Sequence, residues 1–312
     1  RLIELADRHV AQETMLPPAA TGAVRLQPGV LPARAADNLF WLGRYTERAE
    51  TLLRSLRAHY RREAEAGEAD AALLELSSGF LGARGPPPAA GLQAAIAPVL
   101  ASALTAASHV RDRFSIDGWH ALDDLVTDLP GIAGAAAAPD AALGAADSLL
   151  RRLAGFSGLV HENMYRFTGW RFLSIGRTLE QALGMADLLA AFADPAAPDG
   201  ALDFAIEVAD STMSHRRRYA AAPERATVVD LVALDPLNPR AILYQLDRMG
   251  EHLATLPGAE GFRQISPLRR AHLRCQSGVA TAVPEALDTP ALEALSAEIA
   301  GLSDLITQTY LR

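Results

Sequence analysis

Two stretches of the chain carry one pattern without a gap. FWLGRYTERAETLL, from Phe40 to Leu53, and LSIGRTLEQALGMA, from Leu173 to Ala186, share Gly-Arg-x-x-Glu-x-Ala. Around the first copy, Leu39, Leu42, Ala49, Leu53 and Leu56 recur at helical spacing, which makes it a long helix with a wide apolar arc. Arg44, Glu47 and Phe40 fall roughly opposite that arc on the wheel. Trp41 beside them points to a second packed layer rather than to water. A glycine inside a helix costs about 1 kcal/mol against alanine. Gly43 and Gly176 at matching places are explained if the two helices approach each other there. The repeat therefore predicts two pseudo-equivalent halves packed against one another.

The rest of the chain is consistent with that reading. No convincing period-two strand occurs, and Ala, Leu, Arg and Glu outnumber the β-branched residues, so an all-α, multi-helix bundle is expected. Stretches such as GARGPPPAAG, SIDGW, PGIAGAAAAPD, ADPAAPDG, LDPLNPR, LPGAEGF and VPEALDTP read as punctuation at helix ends. Asn238 is expected to cap a helix opened by Pro239, and Ser115 to cap another. Residues 1–32 hold several prolines and no sustained period, so they read as an extension or linker ahead of a helical domain over 33–312. The chain begins at Arg1 rather than Met, which reads as a piece of something longer.

Composition removes several chemistries. All 29 Lys+Arg residues are Arg, so a Schiff-base lysine, a phosphate-loop lysine and a lysine base are excluded. The formal net charge is −8, which argues against nucleic acid as a partner. Eight histidines are scattered, without HExxH or zinc spacing against the single Cys275, so no metal site is expected. No glycine-rich phosphate loop and no GxSxG nucleophile occurs. One cysteine and no signal-peptide pattern fit a reducing, cytoplasmic setting. The Ala-rich AGLQAAIAPVLASALTAASHV is broken by Pro98 and polar residues, so it reads as a buried helix and not as a membrane span.

The candidate binding residues are arginines and glutamates. Each Arg can reach its own Glu three residues on, an i,i+3 pair worth about 0.2–0.5 kcal/mol on an exposed helix. If the two copies meet, Arg44, Glu47, Arg177 and Glu180 instead make a buried network, which serves either as a structural ion cluster or as a guanidinium fork for carboxylate or phosphate. Arg48 joins them, as do Trp170 and Arg171 from the aromatic run that precedes the second copy. Within HRRRY, three successive arginines fan out, so one of them, Arg217 or Arg218, meets an anion at most. Arg240, near a helix start, opposes the helix dipole, which calls for an anionic partner.

The segments ARAADNLFWLGRYTERAETLLRSL, RDRFSIDGWHALDDL, GWRFLSIGRTLEQALGMADLL, EVADSTMSHRRRY and LDPLNPRAILYQLDRMGEHL, in this order, resemble the Alpha-E domain family. The resemblance covers roughly residues 33–312. It implies an all-helical domain that occurs beside or fused to circularly permuted ATP-grasp ligases and with transglutaminase-like peptidases. On that basis residues 1–32 are the tail of an upstream ATP-grasp module or a connector. The implied role is a helical accessory or substrate-binding domain in peptide or amino-acid modification, with ATP and magnesium belonging to the partner and no cofactor in this chain. Two other readings stay open. One is an enzyme in its own right, with Glu47 or Glu180 as general base beside Arg44 or Arg177; the other is a structural dimerisation domain forming a homo-oligomer.

Overall fold

The computed structural model describes residues 31–65, 71–134, 138–257 and 265–311. All but the last two residues of the 1–32 stretch read as an extension, and most of the LPGAEGF break, lie outside them. Thirteen α-helices and no strand occur among the described residues. The chain is all-α, as expected, and no helix there is long and apolar enough to cross a membrane.

The centre is a pair, α1 (Ala33–Glu65) and α7 (Thr168–Phe192). Their contacts advance in step along both chains. Leu39 lies against Gly169, Gly43 against Leu173 and Arg177, and Thr51 against Gly184. The helices are therefore parallel and in register, and the repeat meets itself. The approach is reciprocal: a Cβ on Gly43 would stand 2.1 Å from the Leu173 carbonyl oxygen, and one on Gly176 would stand 2.1 Å from that of Phe40. Only glycine allows two backbones so close. On the arc opposite the polar face, Leu42, Leu53 and Leu56 are fully buried.

α3 (Leu92–Ser108) and α6 (Pro139–Asn163) pack on α1, while α11 (Ile242–Ala254) and α13 (Thr289–Tyr310) pack on α7. The pseudo-equivalence belongs to the central pair. The flanking helices differ in length, at 17 and 25 residues on one side and 13 and 22 on the other. α2 (Ala71–Gly82) and α8 (Ala201–Val208) pack against α1, α4 (Ile116–Thr127) sits on α6, and α12 (Pro267–Ala280) bridges α11 and α13. α5 (Leu129–Ala133) is one turn inside a stretch read as a break, with Pro130 in its first turn. α9 (Thr212–Tyr219) and α10 (Arg225–Val229) lead through a π-turn into residues 235–241.

Two caps were expected. Ser115 accepts from Gly118 N at 3.1 Å and caps α4. Asn238 does not cap α11, which begins at Ile242 after Ala241. Asn238 is buried in the preceding turn, donates to the Leu231 carbonyl at 2.7 Å and accepts from Arg240 N at 3.1 Å. The side chain that promised a helix start closes an Asx turn instead. That turn presents Arg240 to the central pair.

Candidate functional site

Each repeat arginine is paired, but not within its own helix. Arg44 Nε donates to Glu180 at 2.7 Å, and Arg177 Nη2 donates to Glu47 at 3.1 Å. The i,i+3 pairing expected within each copy is thus replaced by a swap across the Gly43/Gly176 contact. The reason is geometric: parallel, in-register helices at glycine distance bring each Arg beside the other helix's Glu, in a place where the carboxylates cannot stay hydrated. Buried charge needs a partner, and the facing helix supplies it.

The two clusters are alike in origin and unlike in balance. Around Glu180 stand two guanidiniums: Arg44, which also donates to Ser303 Oγ of α13 at 2.8 Å, and Arg48, whose Nε reaches Glu180 at 2.6 Å. One carboxylate faces two cations. Around Glu47 stand Arg177 and Arg240, the latter at 3.1 Å, and Arg240 also donates to Glu50. Glu50 accepts from Arg54 at 2.9 Å, and Arg54 reaches Asp210 at 3.1 Å. Here three guanidiniums meet three carboxylates. The anionic partner demanded by Arg240 is internal.

Burial sets the protonation behaviour. The Glu47 side chain is 1% exposed, and this burial, with the neighbouring Glu50 charge, raises its pKa against the pull of Arg177 and Arg240. Burial also pushes Glu50 upward, yet Arg240, Arg177 and Arg54 together outweigh it and hold Glu50 at about 2. The arginines open toward solvent to different degrees. Arg44 is 9% exposed, Arg240 19%, Arg177 30% and Arg48 37%.

The remaining candidates lie elsewhere. Trp170 meets His252 edge-on at 4.9 Å, and Arg171 Nη1 approaches His252 Nδ1 at 3.1 Å. Burial and the Arg171, Arg248 and Arg166 charges push His252 down to about 4, so its neutral ring accepts the Arg171 proton. No hydrogen bond or ion pair joins this group to the glutamates among the described residues. Arg217 is exposed on α9 and has no ion pair among the described residues, whereas Arg218 reaches Asp235 at 2.9 Å. Cys275 is buried, and its thiol is pushed up to about 11.

Sequence reasoning left Glu50, Arg54, Asp210 and Ser303 out of the site. The i,i+4 spacing of Glu50 and Arg54 was a usable signal; nothing marked Ser303. Among the described residues no group of His, Cys, Asp and Glu has metal-site geometry. A cleft of about 580 Å³ between α2, α7 and α13 is lined by Phe80, Arg84 and Asp187. A groove of about 400 Å³ runs between α1 and α3. Neither is lined by Arg44 or Arg177.

Comparison with known proteins completes the site. Residues 31–311 match the profile of a family called Alpha-E, described as a predicted alpha-helical domain with a conserved ER motif. Glu-Arg occurs twice in the chain, at Glu47–Arg48 and Glu224–Arg225. The first dipeptide joins the two clusters. In the second, Arg225 donates to the Ala193 carbonyl at 2.9 Å. The chain is 30% identical to the uncharacterized proteins Rv2567 of Mycobacterium tuberculosis and Mb2597 of Mycobacterium bovis, over 92% of its own length and 36% of theirs. It thus spans about a third of the length of the curated relatives it matches. No solved structure matches.

Proposed function

The chain belongs to the Alpha-E family, and from that premise we propose that it is a helical accessory domain that holds a carboxylate-bearing acceptor for an ATP-grasp amide ligase. The chemistry served is peptide or amino-acid modification, in a cytoplasmic setting and with a transglutaminase-like peptidase as a second partner. ATP and magnesium are the ligase's. The observation that carries the reading is the charge surplus at Glu180. Two guanidiniums face that one carboxylate, and the more exposed of them, Arg48, is 37% open to solvent. A surplus guanidinium on a fixed helix is suited to a carboxylate. The length of the relatives beyond the matched third leaves room in those proteins for a further module.

The acid–base reading is less well supported. A general base must come within about 2.6–3.2 Å of the proton it removes. Both oxygens of Glu47 are held by arginines in a side chain 1% exposed. Glu180 is 9% exposed and closed by Arg44 and Arg48.

The test is reconstitution. The purified chain is combined with a circularly permuted ATP-grasp protein from the same genome, and ADP release is followed with amino acids and short peptides as acceptors. Acceptor-dependent release should rise at least tenfold when the chain is added, and the chain alone should turn nothing over. Release indifferent to the chain would refute the accessory role, and turnover by the chain alone would establish the enzyme reading in its place.

A further inference from the structure

Beside the charge surplus lies the groove between α1 and α3, whose aromatic wall on α1 stops at Tyr45, next to Arg48. On α1, Asn38, Trp41, Tyr45 and Arg48 follow each other at helical spacing along one strip, roughly 15 Å from end to end at about 1.5 Å per residue. Trp41 and Tyr45 stack with ring centres 5.5 Å apart and planes 30° apart, and together form a continuous wall. The facing strip of α3 is small, with Ala101, Ser102, Thr105 and Ala106, and the exposed His109 at the end of α3 completes the lining. Large rings opposite short side chains leave the space of about 400 Å³. Such a wall takes an apolar or aromatic body by stacking.

Arg48 stands just past the Tyr45 ring, its guanidinium carbon 6.0 Å from the ring centre. Its Nε and Nη2 are taken by Glu180 at 2.6 and 3.2 Å. Nη1 has no partner among the described residues. Arg44 competes poorly, because it lies over Trp41 at 4.8 Å, donates to Glu180 and Ser303, and is 9% exposed against 37% for Arg48. Arg48 is not itself a wall of the groove, but its unengaged guanidinium edge lies just past the Tyr45 ring that is one, and it carries the single surplus charge. That suits a monoanion. A dianionic phosphate would call for a second accessible guanidinium beside Arg48, and the buried Arg44 does not offer one.

We propose that the α1–α3 groove binds a carboxylate carried on an apolar or aromatic body, with the carboxylate on Arg48 and the body against Trp41 and Tyr45. A hydrophobic amino acid acylated at nitrogen, or the end of a peptide finishing in one, has this chemistry. The inference rests on the accessory reading for the role of the ligand, but not for its nature.

The probes are N-acetyl-phenylalanine and its carboxamide, which differ only in the charge. Binding is read by the indole N–H signal of Trp41 in two-dimensional NMR, assigned with Trp41→Phe. The acid should move that signal saturably, and the amide should bind at least tenfold more weakly. Arg48→Gln should erase the preference for the acid. Thr105→Trp, at an exposed position on the groove wall, should abolish binding of both probes while leaving Arg48 in place. A Trp41 signal unmoved by the acid, equal binding of acid and amide, or unchanged binding in Thr105→Trp would overturn the proposal. No ligase enters this measurement, so its failure is distinct from failure of the reconstitution.

Discussion

Replacing Gly43 with alanine adds one methyl group where the two central helices touch backbone to backbone. The new Cβ would lie 2.1 Å from the Leu173 carbonyl oxygen and 3.1 Å from Arg177 N, both backbone atoms of α7. A carbon and a carbonyl oxygen tolerate about 3.3 Å, so the helices must part by roughly 1.2 Å. No rotamer change relieves this, because backbone meets backbone. Overpacking a core costs about 1–3 kcal/mol and sometimes more. Parting the helices also stretches the Arg44–Glu180 bond of 2.7 Å and the Arg177–Glu47 bond of 3.1 Å. Charged hydrogen bonds are worth about 1.5–3 kcal/mol each, so weakening these two adds about 2 kcal/mol; alanine returns about 1 kcal/mol in helix propensity, and the net loss should be about 2–4 kcal/mol. Gly176→Ala should cost the same, since it meets Phe40 O at 2.1 Å. The double variant should cost less than the sum of the singles by about 1–2 kcal/mol, because the second methyl enters a gap already opened. The assay is urea unfolding followed by far-UV circular dichroism, with Gly155→Ala of α6 as control. At Gly155 an added Cβ meets nothing within 4 Å, so that variant should gain up to about 1 kcal/mol. A Gly43→Ala variant as stable as wild type, or strict additivity of the pair, would refute the reciprocal contact.

Arg240→Met should destabilise by about 3–5 kcal/mol, because it leaves Glu47 and Glu50 facing each other with one cation fewer in a buried place; Arg217→Met on exposed α9 should change stability by less than about 0.5 kcal/mol. Denaturation midpoints of the two variants decide this, and equal losses would mean that Arg240 is not a buried partner. Acid should destabilise in two stages. Burial, with Arg62 beside one and Arg171, Arg248 and Arg166 around the other, lowers His59 and His252 to about 4 from 6.5. Their stabilisation is present above pH 6.5 and is lost as pH falls toward 4, with a slope of up to about 2.7 kcal/mol per pH unit for the two protons. Glu50, held at about 2 from 4.5, adds stability above pH 4.5 that is lost between there and pH 2. Burial also lowers His215 and His272, so thermal melts across pH 7 to 4.5 should become shallower, not flat, in a His59→Gln/His252→Gln variant, and an unchanged slope would exclude these two histidines as a cause.

The repeat made the central pair legible, because a glycine and a charge recurring without a gap constrain which helix faces can meet. The same repeat misplaced the ion pairs. Spacing within one helix sees Arg44 and Glu47 as neighbours, while the swap to Glu180 and Glu47 arises only when two helices lie parallel and in register at glycine distance. Arg240 was recognised as a cation in want of an anion, yet the anion lies 193 residues earlier in Glu47, beyond the reach of any local pattern. Asn238-Pro239 looked like a helix start because caps and Asx turns use the same side chain in the same way. The groove was not legible at all. It exists because Ala101, Ser102, Thr105 and Ala106 happen to face Trp41 and Tyr45, and small residues on a helix give no sign of what stands opposite.

The swap also fixes the order of events during synthesis. Arg44 and Glu180 are 136 residues apart, so at about 5–20 residues per second the first helix leaves the ribosome roughly 7–27 s before the carboxylate that will neutralise it. Its own Glu47 waits as long for Arg177, and longer still for Arg240. Until then that face must stay wet, and the nascent chain carries an amphipathic helix of 33 residues whose final partner has yet to be translated. Truncation anywhere before α7 should therefore yield a species whose buried-to-be charges keep it from collapsing into a native-like core, which makes the nascent chain dependent on whatever shelters its leucine stripe in the interval.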